Sequence, residues 1–150
     1  MAHEKTFAML KPGILQRRVV GALISRLERK GLRILALKLM NIPRELAEKH
    51  YAEHKGLPFY EGLIEYMISG PVVAMVLAGE HATHQLRTVC GPTNPDQAAP
   101  GTIRGDFSEK TNRNVIHASD SVESAQREIK LFFAPGEIIE YEDENAKWIY

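Results

Sequence analysis

The segment Asn114-Val115-Ile116-His117-Ala118-Ser119-Asp120-Ser121 carries one histidine out of a short apolar run and into a turn rich in Ser and Asp. A helical pattern follows at once, with Val122, Ala125, Ile129 and Phe133 on one face. A histidine at a strand end, facing a helix start, sits where anions are held and where a group can be transferred. Neutral imidazole, with an ordinary pKa of about 6.5, is a competent nucleophile toward phosphorus near pH 7. Its other ring nitrogen must then donate to an acceptor that fixes the tautomer. Glu128, on the following helix, is the candidate acceptor, and Ser119 could orient its carboxylate. Read alone, His117 is first of all a hydrogen-bonded strand-end histidine, so its surroundings must decide.

Those surroundings hold residues suited to phosphate. Arg87 lies late in a helical pattern, Thr93 and Arg104 lie in the long loop that follows, and Lys11 follows the first strand. Arginine binds phosphate bidentately and lysine supplies a point charge. Each taken singly reads as a solvated surface group. Four of them around one histidine point to a phosphoryl site, where catalysis is mainly positioning and electrostatics. The chain has no Gly-x-x-x-x-Gly-Lys-[Ser/Thr], His-Arg-Asp or Asp-Phe-Gly, which excludes the P-loop and protein-kinase routes.

The elements that must position these residues follow from periodicity. Thr6 to Leu10 reads as a buried strand stopped by Lys11-Pro12-Gly13. Val20, Leu23, Ile24 and Leu27 give a helix ending near Gly31, and Leu32 to Met40 reads as a central strand. Pro43 suits the first turn of a second helix running to about His54, and Phe59, Leu63, Tyr66 and Met67 give a third, closed near Gly70. Val72 to Leu77 is a strand, and Ala82, Leu86 and Val89 mark a helix closed near Gly91-Pro92. From Gly91 to Arg113 no period is visible, and a loop of that length is often functional. With the second and third helices taken as one insertion, the order is β-α-β-β-α-β. That is the ferredoxin-like α+β arrangement, a four-stranded antiparallel sheet with helices on one face.

Composition bounds the rest. The chain has 150 residues, 44% of them apolar and 25% charged, which fits one domain spanning 1–150. Lys+Arg and Asp+Glu each number 19, so the formal charge is zero, which argues against a general nucleic-acid binder. Cys90 is the single cysteine, so no intrachain disulfide forms, consistent with a reducing compartment. No secretory signal and no apolar run of about 18 residues is apparent, so a cytoplasmic protein without a membrane span is expected. The tail from Glu137 to Tyr150 is acidic yet holds Ile138, Ile139, Trp148, Ile149 and Tyr150, and is expected to dock on its own domain or on a neighbouring subunit.

Over essentially its whole length the chain resembles the nucleoside diphosphate kinases. The segment around His117 matches that family's active-site motif. So do Lys11-Pro12, Ser69-Gly70-Pro71-Val72-Val73, Gly91-Pro92-Thr93-Asn94-Pro95 and Pro100-Gly101-Thr102-Ile103-Arg104-Gly105-Asp106-Phe107, in the same order. The resemblance implies a ping-pong enzyme that passes the γ-phosphoryl group of a nucleoside triphosphate, mainly ATP, to a ribo- or deoxynucleoside diphosphate. His117 would carry the group, Tyr51 would lie beside it, and Glu128 with Ser119 would orient it. Arg87, Thr93 and Arg104 would hold phosphates. Lys11 and Asn114 would bind ribose hydroxyls, Lys11 also near the transferring group. Phe59 would stack on the base, with Thr111 standing where a valine often covers it. Stacking tolerates any base, so broad specificity is implied. Magnesium would ride on substrate phosphates, with Asp120 touching it through water. The ending Lys147-Trp148-Ile149-Tyr150 resembles the longer, hexameric members, with a tetramer as the alternative. Gly13, where the family usually has Asp, and Ala118, where Gly is common, depart from the pattern.

Two rival readings remain open at this level. His50-Tyr51-Ala52-Glu53-His54 fits His-x-x-Glu-His, a zinc-protease spacing, although a third ligand is needed. A regulatory protein that keeps only the fold would show a broken site, whereas His117, Lys11, Arg87, Arg104, Asn114 and Glu128 are all present.

Overall fold

The computed structural model describes residues 4–108 and 113–149. Four strands, β1 (Glu4–Leu10), β2 (Arg33–Met40), β3 (Val72–Gly79) and β4 (Ile116–Ala118), form one sheet in the spatial order β2-β3-β1-β4. Every neighbouring pair is antiparallel. Helix α1 (Ile14–Arg17) is a single turn after β1; α2 (Val20–Arg29) then crosses to β2, and α5 (Ala82–Cys90) crosses from β3 to β4. Leu23 and Leu27 of α2 and Leu86 and Cys90 of α5 cover Ala8, Leu10, Val73, Met75 and Leu77 on one face of the sheet. This is the ferredoxin-like order anticipated from periodicity.

The opposite face is covered as well, which corrects the expectation of helices on one face. Helices α3 (Arg44–His50) and α4 (Tyr60–Met67), between β2 and β3, join α7 (Val122–Phe132) over Phe7, Met9, Ala74 and Val76. The reason lies in β3, where every residue is buried. A strand apolar on both faces cannot leave one of them in water.

Strand β2 lies at the sheet edge rather than in the centre. Its apolar run deceived because Leu37 and Leu39 are 49% and 59% exposed on the open side. A bulge between Ile34 and Ala36 interrupts its pairing, and the Leu35 carbonyl accepts the Ile139 N–H at 2.9 Å. The tail thus docks on this edge, with the Tyr141 hydroxyl donating to Ile34 O at 2.8 Å and Arg33 Nη1 donating to Tyr141 O at 3.0 Å. Beyond it, α8 (Ala146–Ile149) leaves Trp148 79% exposed.

Three local expectations change. Helix α3 stops at His50, and a separate 3-10 turn spans Ala52–His54. Pro43 caps α3 rather than entering its first turn. The segment after Gly91 is not structureless: it holds a 3-10 turn at Pro95–Gln97 and helix α6 (Ile103–Phe107), too short to show a period. Thr102 starts α6 by accepting the Gly105 N–H at 3.0 Å.

Candidate active site

His117 occupies the middle of β4, opposite Met9 of β1. Just before it, Val115 has φ 63° and the Ile116 N–H donates to Asn114 O at 2.8 Å. That three-residue loop is a γ-turn, strained for a β-branched residue. It is held in place by the Lys11 N–H, which donates to Val115 O at 2.9 Å. The end of β1 therefore fixes Lys11, Asn114 and His117 relative to one another. Lys11 Nζ donates to Asn114 Oδ1 at 2.6 Å.

Glu128 is the hub of the site. Ser121 caps α7 by accepting the Ser124 N–H at 3.0 Å, and Glu128 lies two turns on, buried. Its Oε2 accepts from His117 Nε2 at 2.6 Å and also from His50 Nε2, while its Oε1 accepts from the Ser119 hydroxyl. His50 Nδ1 is buried without a partner among the described residues, so the His50 proton belongs on Nε2. Burial raises the Glu128 pKa, but the hydrogen bonds from His117 and His50 outweigh it and hold the group well below the usual carboxylate range. Burial depresses His50 to about 4, against the pull of Glu128, so this ring is neutral at pH 7. With Nε2 of His117 spent on Glu128, Nδ1 is the ring nitrogen left for chemistry.

His50, His117 and Glu128 line a cavity of about 280 Å³ together with Lys11, Arg87, Arg104 and Asp120. Lys11 is buried, and desolvation followed by the Arg104 charge lowers its pKa to about 8. Arg104, also buried, donates from Nη1 to Gly91 O and from Nη2 to Ile116 O, both at 2.8 Å. It thus clamps the end of α5 to β4 while facing the cavity. Arg87 is exposed and makes one long contact, Nη1 to Ala118 O at 3.4 Å. The Tyr51 ring stands edge-on to His117 at 6.3 Å, and its buried hydroxyl has no partner among the described residues. Burial raises that phenol's pKa, which leaves it a protonated donor.

A second, more apolar cleft adjoins the first and shares Lys11, His54, Thr93 and Asn114 with it. Phe59, 54% exposed, lies on its wall with Pro58 and Leu63, and the His54 ring sits 5.3 Å from it. Phe59 is therefore separate from the His117 cavity itself. Thr111 lies outside the described residues. Gly13 has φ 97° with open space where a Cβ would stand, so backbone conformation alone accounts for glycine there.

Periodicity alone missed His50, which had suggested only a zinc ligand paired with His54. The signal was its position three residues after Ala47, on the inward face of α3. Among the described residues, His50, His117 and Glu128 are the group able to surround a metal ion. However, the 2.6 Å between His117 Nε2 and Glu128 Oε2 is a hydrogen-bond length. Ligands around zinc, each about 2.0–2.1 Å from it, stand farther apart than that. His50 is committed to Glu128, which removes the zinc-protease reading.

A protein-family model described as nucleoside diphosphate kinase matches residues 4–138. The nucleoside diphosphate kinase of Archaeoglobus fulgidus is 56% identical over 147 residues, covering 98% of this chain and 97% of that protein. That of Staphylococcus epidermidis is 53% identical over 147 residues, covering 98% and 99%. Among solved structures, a halophilic nucleoside diphosphate kinase from Halobacterium salinarum in complex with CDP superposes with a TM-score of 0.96 at 44% identity, covering 99% of each chain. A nucleoside diphosphate kinase family protein from Babesia bovis gives 0.94 at 39% identity, covering 98% and 99%.

Proposed function

The chain belongs to the nucleoside diphosphate kinase family of phosphotransferases, and we propose that it works by a ping-pong relay through a phosphohistidine at His117. The observation that carries this is the Glu128 contact to His117 Nε2, which leaves the Nδ1 lone pair for the substrate. In the first half-reaction Nδ1 bonds to the γ-phosphorus of a nucleoside triphosphate, mainly ATP. The bond from that phosphorus to the β,γ-bridging oxygen breaks, and its electron pair leaves with the diphosphate. The ring keeps its proton on Nε2 and becomes cationic, which the Glu128 charge offsets. In the second half-reaction a terminal oxygen of another nucleoside diphosphate takes the group back from Nδ1.

Roles for the neighbours follow. Arg87, Thr93 and Arg104 hold phosphates, and Lys11 and Asn114 take the ribose hydroxyls. Ser119 holds the second Glu128 oxygen, and Tyr51 offers its unpartnered hydroxyl to a phosphate oxygen. Phe59 stacks on the base without reading its edge, so purines and pyrimidines, ribo or deoxy, are accepted alike. Thr111 covers the base from the other side. Magnesium suits this donor set as a substrate-borne ion. The carboxylates lining the cavity are Glu53, Asp120 and Glu128, and Glu128 already accepts three hydrogen bonds. Asp120 is exposed and can meet a bound water of the ion. When bound, magnesium neutralises charge on the phosphate oxygens. A single domain, a cytoplasmic setting and a homo-hexamer, with a tetramer as the alternative, complete the reading. The bare Leu37, Leu39 and Trp148 support association.

The test is labelling with γ-labelled ATP and magnesium in the absence of acceptor. The expected product is an acid-labile, alkali-stable phosphoenzyme, discharged by any added nucleoside diphosphate. A His117→Ala protein that labels as well as the parent would overturn the relay.

A further inference from the structure

We infer that His50 is a positioning residue for this reaction: as a neutral hydrogen-bond donor it fixes the Glu128 oxygen that holds His117, without cancelling the charge of that carboxylate. The inference rests on reading His117 as the phosphorylated residue.

The argument begins with geometry. His50 ends α3, on a different element from every other partner of Glu128, and its side chain is 1% exposed. Its Nε2 and the Nε2 of His117 converge on one atom, Glu128 Oε2. The two rings lie 4.7 Å apart and nearly perpendicular, at 83°. His50 is itself held edge-on against Phe7 and Phe132, with centroids at 6.1 and 5.1 Å. The donor therefore cannot swing away. A carboxylate held by Ser119 alone on one oxygen would be free to pivot about that contact. The bond from His50 to the other oxygen removes the pivot and sets where the His117 ring can point.

The protonation state follows from the same surroundings. Among the described residues no acceptor faces His50 Nδ1, so a second proton on the ring would be buried and unbonded. Burial disfavours the cation as well. A lysine or arginine in this place would fix the carboxylate equally well but would neutralise it. A neutral donor leaves the full negative charge of Glu128 for the positive charge that His117 gains when Nδ1 bonds phosphorus. His50 also makes Oε2 less basic, which keeps the shared proton on His117.

His117 has further neighbours besides this contact. Glu128 and Phe7 contact His117 directly. Tyr51 and His54 after α3, Glu53 between them, and Arg127 on α7 line the same cavity. So do Lys11, Arg87, Arg104 and Asp120 from the other elements.

The test compares His50→Leu, which removes the donor, with His50→Gln, which returns an N–H near the Nε2 position. Histidine-labelled protein free of nucleotide is followed by NMR, alongside single-turnover labelling by ATP. In the parent at pH 7 the expected His50 signature is a proton on Nε2 and none on Nδ1. In His50→Leu, the His117 Nε2 and its attached proton should move in chemical shift, as the hydrogen bond shared with Glu128 Oε2 is re-aimed. Phosphoenzyme formation at saturating ATP should slow about tenfold, with half-saturation within about twofold, as expected when positioning rather than binding is lost. His50→Gln should recover most of both. A parent His50 protonated on Nδ1, or a folded Leu variant with unchanged His117 shifts and rate, would overturn the inference. So would a folded Gln variant whose His117 shifts and labelling rate depart widely from the parent's, and this arm stands even where the Leu variant does not fold. A parent protein that takes no label overturns the phosphohistidine reading instead, because the NMR spectra need no nucleotide.

Discussion

The two clefts that meet at Lys11, His54, Thr93 and Asn114 are built in opposite ways. The His117 cavity is walled by buried polar groups that already spend their hydrogen bonds on one another: Lys11 on Asn114, Arg104 on two backbone carbonyls, Glu128 on three donors. The neighbouring cleft offers the exposed face of Phe59 and an apolar floor. One region is formed before any ligand arrives, and its charge chemistry benefits from that preorganisation. The other presents the exposed Phe59 ring, on which the proposed reading stacks any base. In that reading fixed geometry serves the part common to all nucleotides, and an exposed apolar ring serves the part that varies.

The contrast is broken most forcefully at Arg104. Replacing it with Ala leaves the Gly91 and Ile116 carbonyls without their donor and removes a buried cation. Turnover should fall about 10²–10³-fold. Thermal or urea unfolding should show a loss of about 2–4 kcal/mol. A loss of turnover with unchanged stability would show that the clamp between α5 and β4 is dispensable.

Lys11 gives an intermediate effect that needs no mutation. With its pKa near 8, it is charged below that value and neutral above it. The kcat/KM of free enzyme should therefore decline on the alkaline side from about pH 8, by up to tenfold per unit. Stability should move the other way. Between about 8 and the ordinary 10.5 the unfolded chain holds the proton and the native state does not, so unfolding free energy rises with pH through that window. Activity and urea midpoints measured over one pH series check both signs. Parallel declines would mean that Lys11 does not titrate there.

Phe59 should give the smallest change. Phe59→Ala loses one-sided stacking, worth about 1 kcal/mol, or roughly fivefold in nucleotide half-saturation. The loss should be similar for purine and pyrimidine substrates, with turnover unchanged. If turnover fell as it does for Arg104→Ala, the division between the two clefts would not hold.

What could be read in the sequence depended on chain distance. His117, Ser119 and Glu128 fall within one strand-turn-helix unit, and the helical period after Ser121 carries Glu128 back over the strand end. The ferredoxin-like order was legible because β1 and β3 are unbroken apolar runs and α2 and α5 each show one helical period. His50 was obscure because it reaches Glu128 across 78 residues and looks like any helix-end histidine. The Arg104 clamp was hidden because α6 is five residues long and the clamped groups are backbone carbonyls. The position of β2 was misread because Leu37 and Leu39 are apolar on a face that the chain leaves exposed.

The γ-turn at Val115 has a consequence for heat tolerance. A β-branched residue at positive φ costs of order 1–3 kcal/mol. A domain's whole stability is only about 5–15 kcal/mol. The turn that aims Asn114 and His117 from one pinned carbonyl therefore draws a visible fraction of the margin against unfolding. Heat resistance and the alignment of Asn114 and His117 compete for the same three residues.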